Sequence, residues 1–119
     1  MEFTKKSMIK KKLRIGIIGL GYVGLPLAVA FAKHFNVVGD DSDKERIAQL
    51  NAGNDKTKEV NRKELLKRTK LVFSSKKSDL NDSNIYIIAV PTPVNKSNKP
   101  DLSLLINACK LVSKSLKQN

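Results

Sequence analysis

The sequence predicts an α/β fold built on a doubly wound parallel sheet. Three observations predict it: short apolar strands alternate with helical segments, the first strand runs into a glycine-rich turn, and the second ends in an acid. Alternation of this kind lays successive strands parallel, with helices on both faces of the sheet. At 119 residues, with 40% apolar and 29% charged side chains, the chain has enough apolar surface for one folded unit and is not expected to be disordered.

Leu13 to Ile18 (Leu-Arg-Ile-Gly-Ile-Ile) reads as a buried parallel strand. A helix from Leu25 to His34 follows, with Pro26 in its first turn, where a missing N–H costs nothing. His34 then reads as a surface residue favouring the helix C-terminus. Asn36 to Asp41 is the second strand. Ser42 and Glu45 have capping-box spacing, which predicts a helix over 43–51 ended by Gly53.

Residues 54–70 read as a polar, basic loop with a short helix around 62–68. Leu71 to Ser74 is a third strand, and residues 84–90 a fourth, apolar on both faces and ended by Pro91. Asp101 is a candidate N-cap for a last helix over 101–117. Its Leu102, Leu105, Ile106, Cys109, Val112 and Leu116 recur at helical spacing, which predicts one buried stripe with Cys109 as a packing residue.

The formal charge is +12, and it is unevenly spread. Residues 1–14 carry six basic side chains against Glu2, and residues 56–77 carry nine against Glu59 and Glu64. Residues 1–12 are read as a basic arm, with Met8 an alternative start that would make 1–7 an upstream extension. Such clusters can attract nucleic acid or an anionic surface. With 5% aromatic residues and no nucleic-acid module in view, a solvated arm and helical face is the stronger reading. One cysteine excludes an intramolecular disulfide and a Cys-based metal cluster. No apolar run reaches the ~20 residues of a bilayer span, and the basic start has no apolar region and cleavage site after it. The expectation is a soluble, cytoplasmic chain with no membrane or metal partner.

Gly19-Leu20-Gly21-Tyr22-Val23-Gly24 matches G-x-G-x-x-G, follows a strand and opens a helix, and Asp41 lies 22 residues beyond Gly19. That context is the dinucleotide fingerprint of a Rossmann-like unit. Gly19 permits the tight turn, Gly21 lets the backbone approach a pyrophosphate, and Gly24 lets the helix pack closely on the strand. The helix N-terminus offers N–H groups and partial positive charge to the phosphates. Asp41 is expected to accept from the adenosine ribose hydroxyls and to repel a 2′-phosphate, favouring NAD over NADP. Asp40 is expected on the opposite side of its strand, solvated or locally paired.

The stretch from Lys12 to Ala28, together with Val38-Gly39-Asp40-Asp41-Ser42-Asp43 and Ile88-Ala89-Val90-Pro91-Thr92-Pro93, resembles the UDP-glucose/GDP-mannose dehydrogenase family. Asn51 to Thr57 looks most like the branch acting on UDP-N-acetyl-hexosamines. The resemblance implies that the backbone of Tyr22 and Val23 meets the NAD diphosphate, that Asp41 and Arg46 hold the adenosine ribose, and that Val90, Pro91 and Thr92 close on the nicotinamide side. Asp40 departs from the family, which usually has an aromatic or aliphatic residue there; its extra charge is expected either to weaken cofactor binding or to be offset by Lys44 or the basic segment.

Enzymes of this family oxidise the C6 alcohol of a nucleotide sugar to a carboxylate, with a cysteine thiolate that traps the aldehyde. The resemblance places that cysteine, the sugar-nucleotide domain and the last strands of the Rossmann sheet beyond residue 119. Residues 13–119 are therefore expected to form an incomplete sheet of about four strands, inactive alone, with UDP-sugar bound only alongside the missing domains. Strand 84–90 becomes an unpaired edge, and self-association through it is expected. Two other readings stay open: a non-catalytic nucleotide-binding or assembly module, and a basic nucleic-acid-binding protein.

Overall fold

The computed structural model describes residues 13–118, so the basic arm read at 1–12 lies outside the described residues. Its centre is β1 (Arg14–Ile18), in which every residue after Arg14 is buried. β2 (Asn36–Asp40) and β4 (Ile85–Ile88) pair with β1 on either side, and β3 (Leu71–Ser74) pairs with β2. All three pairings are parallel and the order is β3-β2-β1-β4, the Rossmann arrangement expected. β4 is shorter than predicted, yet ladder-like bonds continue beyond it, from Asn84 N to Arg14 O and from Ala89 N to Ile18 O, both 2.8 Å.

Alternation along each strand sends side chains to two cores. Ile15, Ile17 and Val37 join Leu25 and Ala28 of α1 (Gly24–Phe31) and Ile47 and Leu50 of α2 (Lys44–Asn51) on one face. The short α3 (Arg62–Lys67) adds Leu65. On the other face Ile18 meets Leu80 of a 3₁₀ helix (Lys77–Leu80) and Ala108 of α4 (Ser103–Gln118). α1 is shorter than predicted, because residues 32–35 tighten into turns in which His34 N bonds Phe31 O at 3.0 Å. Exposed His34 ends up on the surface, as read.

α2 departs from prediction at its start and follows it at its end. Asp43, not Ser42, is the N-cap, its carboxylate accepting from Glu45 N (3.0 Å) and Arg46 N (3.2 Å). A carboxylate is the stronger acceptor, and Ser42 Oγ is drawn away to Lys77. At the other end Gly53 takes φ +83°, with Gly53 N on Leu50 O and Asn54 N on Gln49 O, a Schellman closure. Asp101 likewise acts one position further out than predicted, accepting from Ser103 N at 3.0 Å.

The buried face of α4 overlaps the predicted stripe only at Val112 and, in part, Leu105. Ala108 and Ser115 are buried, with Leu111 and Val112 packed beside them, whereas Leu102, Ile106, Cys109 and Leu116 are exposed. Apolar residues cover more than one side of this helix, so periodicity alone did not choose between them. The small side chains of Ala108 and Ser115 permit the closer approach to the sheet. Among the described residues, no helix is long and apolar enough to cross a membrane.

These assignments separate two substitutions. Leu80→Ala is expected to lower stability by about 3 kcal/mol, whereas Ile106→Ser should stay within about 0.5 kcal/mol. Urea unfolding of the two variants, followed by circular dichroism, checks both values.

Candidate functional site

β1 ends at Ile18, and the chain must turn sharply to enter α1. Gly19 makes the turn at φ +102°, where an added Cβ would stand 2.7 Å from Ala89 O; its N–H bonds Asp40 O at 2.8 Å. A Cβ on Gly24 would collide with the Gly19 carbonyl oxygen, so this glycine is what lets α1 sit against the loop. At Gly21 a Cβ would meet nothing within 4 Å. The earliest bond into α1 runs from Leu25 N to Gly21 O, and the N-cap residue Val23 gives no side-chain cap. The N–H groups before Leu25 therefore have no acceptor inside the helix and suit an anion.

Asp41, just past β2, faces this loop. Its Oδ2 accepts from Leu20 N at 3.0 Å and its Oδ1 from Asp43 N at 2.9 Å. Each carboxylate oxygen keeps a further lone pair for a ligand hydroxyl. Asp40 is buried at 1% exposure, and Lys77 Nζ bonds both of its oxygens, at 2.9 and 3.2 Å, and also Ser42 Oγ. Its charge is thus offset by Lys77, at the end of the basic segment, and not by Lys44. Burial pushes the Asp40 pKa up, the hydrogen bond and charge of Lys77 pull it down, and the net shift is upward.

Arg46 is not a solvated helix charge. Its side chain is 5% exposed; Nε and Nη2 donate to Leu20 O at 2.9 and 2.7 Å, and Nη1 donates to Asp55 Oδ1 at 2.8 Å. Asp55 also accepts from Thr57 N, Thr57 Oγ1, Glu59 N and Val60 N. Burial opposes its ionisation, but the hydrogen bonds from Thr57, Val60 and Arg46 outweigh it and hold its pKa well below the ordinary carboxylate range.

These residues frame a cleft of about 360 Å³ at the carboxyl ends of β1, β2 and β4. Gly19, Gly21, Asp41, Arg46, Val90 and Pro91 line it, as do Leu20, Ser42, Lys56, Thr57 and Leu104, which sequence reasoning had not assigned. Tyr22 and Val23 are 68% and 63% exposed and, with exposed Thr92, stand outside its lining. Gly24 acts from beneath, through the contact with Gly19. Asp55 carried one legible signal, its place two residues past the helix-ending Gly53. Among the described residues, no group of three or more His, Cys, Asp or Glu side chains is placed to hold a metal ion.

Residues 13–119 match the sequence profile of the UDP-glucose/GDP-mannose dehydrogenase family, NAD binding domain. The chain belongs to this family. It is 44% identical over 108 residues to the UDP-N-acetyl-D-glucosamine 6-dehydrogenase of Pseudomonas aeruginosa, covering 91% of this chain and 26% of that protein. It is 48% identical over 101 residues to the enzyme of the same name from Salmonella typhi, covering 85% of this chain and 24% of that one. Among solved structures, the UDP-D-ManNAc dehydrogenase of Pyrococcus horikoshii superposes with a TM-score of 0.80 at 38% identity, over 87% of this chain and 26% of the other. The chain thus spans about a quarter of the length of these relatives.

The dehydrogenase-family cofactor, NAD, fits the residues present. Open space beside Gly21, N–H groups without helical acceptors and the spare lone pairs of Asp41 meet the needs of a diphosphate joined to a ribose.

The two buried carboxylates imply opposite pH responses. Asp55, with its pKa depressed, adds stability that is complete above the unfolded value of about 3.9 and lost as pH falls. Asp40, with its pKa raised, costs stability while ionised, and that cost is relieved on acidification. Asp55→Asn is expected to lose about 2 kcal/mol at neutral pH. Its deficit against the parent chain should hold down to about pH 4 and shrink progressively as pH falls further, as measured by urea unfolding.

Proposed function

We propose that this domain binds NAD for a cytoplasmic nucleotide-sugar dehydrogenase that oxidises the C6 alcohol of a UDP-N-acetyl-hexosamine to a carboxylate, supplying surface polysaccharide synthesis. The observation that carries this reading is the identity of 44% and 48% to two proteins named UDP-N-acetyl-D-glucosamine 6-dehydrogenase. In this reading Gly21 and the amides of Tyr22 and Val23 take the diphosphate, on a turn that Gly19 and Gly24 make possible. Asp41 takes the adenosine ribose, and Val90, Pro91 and Thr92 border the nicotinamide end. Arg46 supports the ribose side. When bound, NAD accepts hydride from the sugar alcohol. The domain's share is to bind and orient the cofactor. Cys109 lies away from the cleft, in a groove with Ile88, Val112, Ser113 and Leu116, so a thiol that traps the aldehyde belongs elsewhere in the longer enzyme.

In isolation, the 119-residue chain is proposed to pair with a second copy along β4. Among the described residues that strand has a partner on one side only, carries Ile85, Tyr86, Ile87 and Ile88 with no charge among them, and borders a groove with the exposed Cys109 and Leu116 of α4. Uncharged edges invite such pairing.

Calorimetric titration with NAD should give saturable binding that Asp41→Ala weakens at least tenfold, since hydrogen bonds to a charged group contribute about 1.5–3 kcal/mol. Equal affinity of parent and variant would remove Asp41 from the site. Light scattering should report a dimer that Cys109→Lys combined with Leu116→Lys returns to monomer; a monomeric parent chain would refute the pairing.

A further inference from the structure

The geometry points to Asp55 as a positioning residue for the cofactor, acting through Arg46 on the Leu20 carbonyl of the glycine loop. The inference rests on the reading of the cleft as the NAD site. Leu20 is pinned from both sides: Asp41 Oδ2 receives its N–H, while Arg46 Nε and Nη2 both donate to its carbonyl. That carbonyl shares a rigid trans peptide plane with the N–H of Gly21, so fixing one turns the other in the opposite direction. Gly21 is the loop position with open space in front of it. The orientation of the amide that meets a diphosphate is therefore set by a guanidinium that need not touch the cofactor.

Arg46 can do this only if it is itself held. Asp55 accepts its Nη1 and four further donors from residues 57–60, so the carboxylate is anchored to a closed turn. Asp55 is absent from the cleft lining, and its effect on the cofactor is indirect. Its neighbours Lys56 and Thr57 do line the cleft, so the same turn sets both the loop and one wall. Without Asp55 the guanidinium would be a buried charge with only a carbonyl for partner, an arrangement that relaxes by moving. A direct ribose contact by Arg46 makes a different prediction: losing Asp55 would then leave the glycine loop in place.

The test compares Arg46→Lys, Asp55→Asn, their double variant, and Thr57→Val, which removes one bond to Asp55 and keeps both charges should the others fold poorly. NAD affinity is measured by calorimetry, and the Gly21 amide is followed in the ligand-free chain by NMR and hydrogen exchange. Expected is a roughly tenfold loss of affinity in each of the two charge-site variants, with the double variant no worse than either, as coupled neighbours behave. The Gly21 amide should shift and exchange faster in all the variants, least in Thr57→Val, while amides of α4 stay unchanged. Additive losses, or a Gly21 amide unmoved by Asp55→Asn and Thr57→Val, would overturn the inference. A parent chain that fails to bind NAD would sink the reading of the cleft alone, because the amide measurement decides the relay without ligand.

Discussion

A buried guanidinium joins the three segments on which the cleft depends. Arg46 leaves α2, grips the carbonyl at the centre of the glycine loop, and ends on a carboxylate that organises residues 55–60. Taking both charges out of water is costly, and an ion pair alone seldom recovers that cost. Here the carboxylate collects four donors besides Arg46, and the arrangement becomes favourable for the ionised form. The pair of Asp40 with Lys77 shows what happens with fewer partners. There one half-exposed lysine supplies the hydrogen bonds, burial wins, and the carboxyl pKa rises. The two aspartates lie in one small domain, each with one cation; fewer donors, with the like charges of Asp41 and Asp79 close by, give Asp40 the opposite sign.

The parts of the fold legible in the sequence were those written locally. Gly19, Gly21 and Gly24 announce a turn, an open approach and a close contact, and each behaves accordingly because steric exclusion acts over a few residues. β1 follows from an apolar run buried on both faces, while the equally apolar β4 is only partly buried. What stayed illegible depended on distant partners. Asp55, nine residues past Arg46, is marked only by its place after Gly53 and not as a counter-ion, and nothing near Asp40 marks Lys77, 37 residues on. The face of α4 was misjudged for a related reason: the sheet selects small Ala108 and Ser115, and a periodic count rewards bulk. The small hairpin closed by Val94 and Pro100 was also missed, although Asn95 and Asn98 are its turn residues, with Asn98 at φ +57°.

The basic segment at 56–77 takes on a different meaning once its partners are known. Arg68 donates to Leu65 O and Asn51 Oδ1 and lies 4.8 Å over the Phe73 ring, while Lys77 ties the start of the 3₁₀ helix to the end of β2. Part of the +12 charge is therefore structural cement between consecutive units of the sheet. These cations have structural partners, which accords with membership of a dehydrogenase family.

The strand order has a consequence in time as well as in space. Every residue that lines the cleft falls between Ile18 and Leu104, and the strands that carry them pair around β1, the first strand described. A chain synthesised from its N-terminus has thus exposed the whole cofactor pocket by the time α4 begins to emerge.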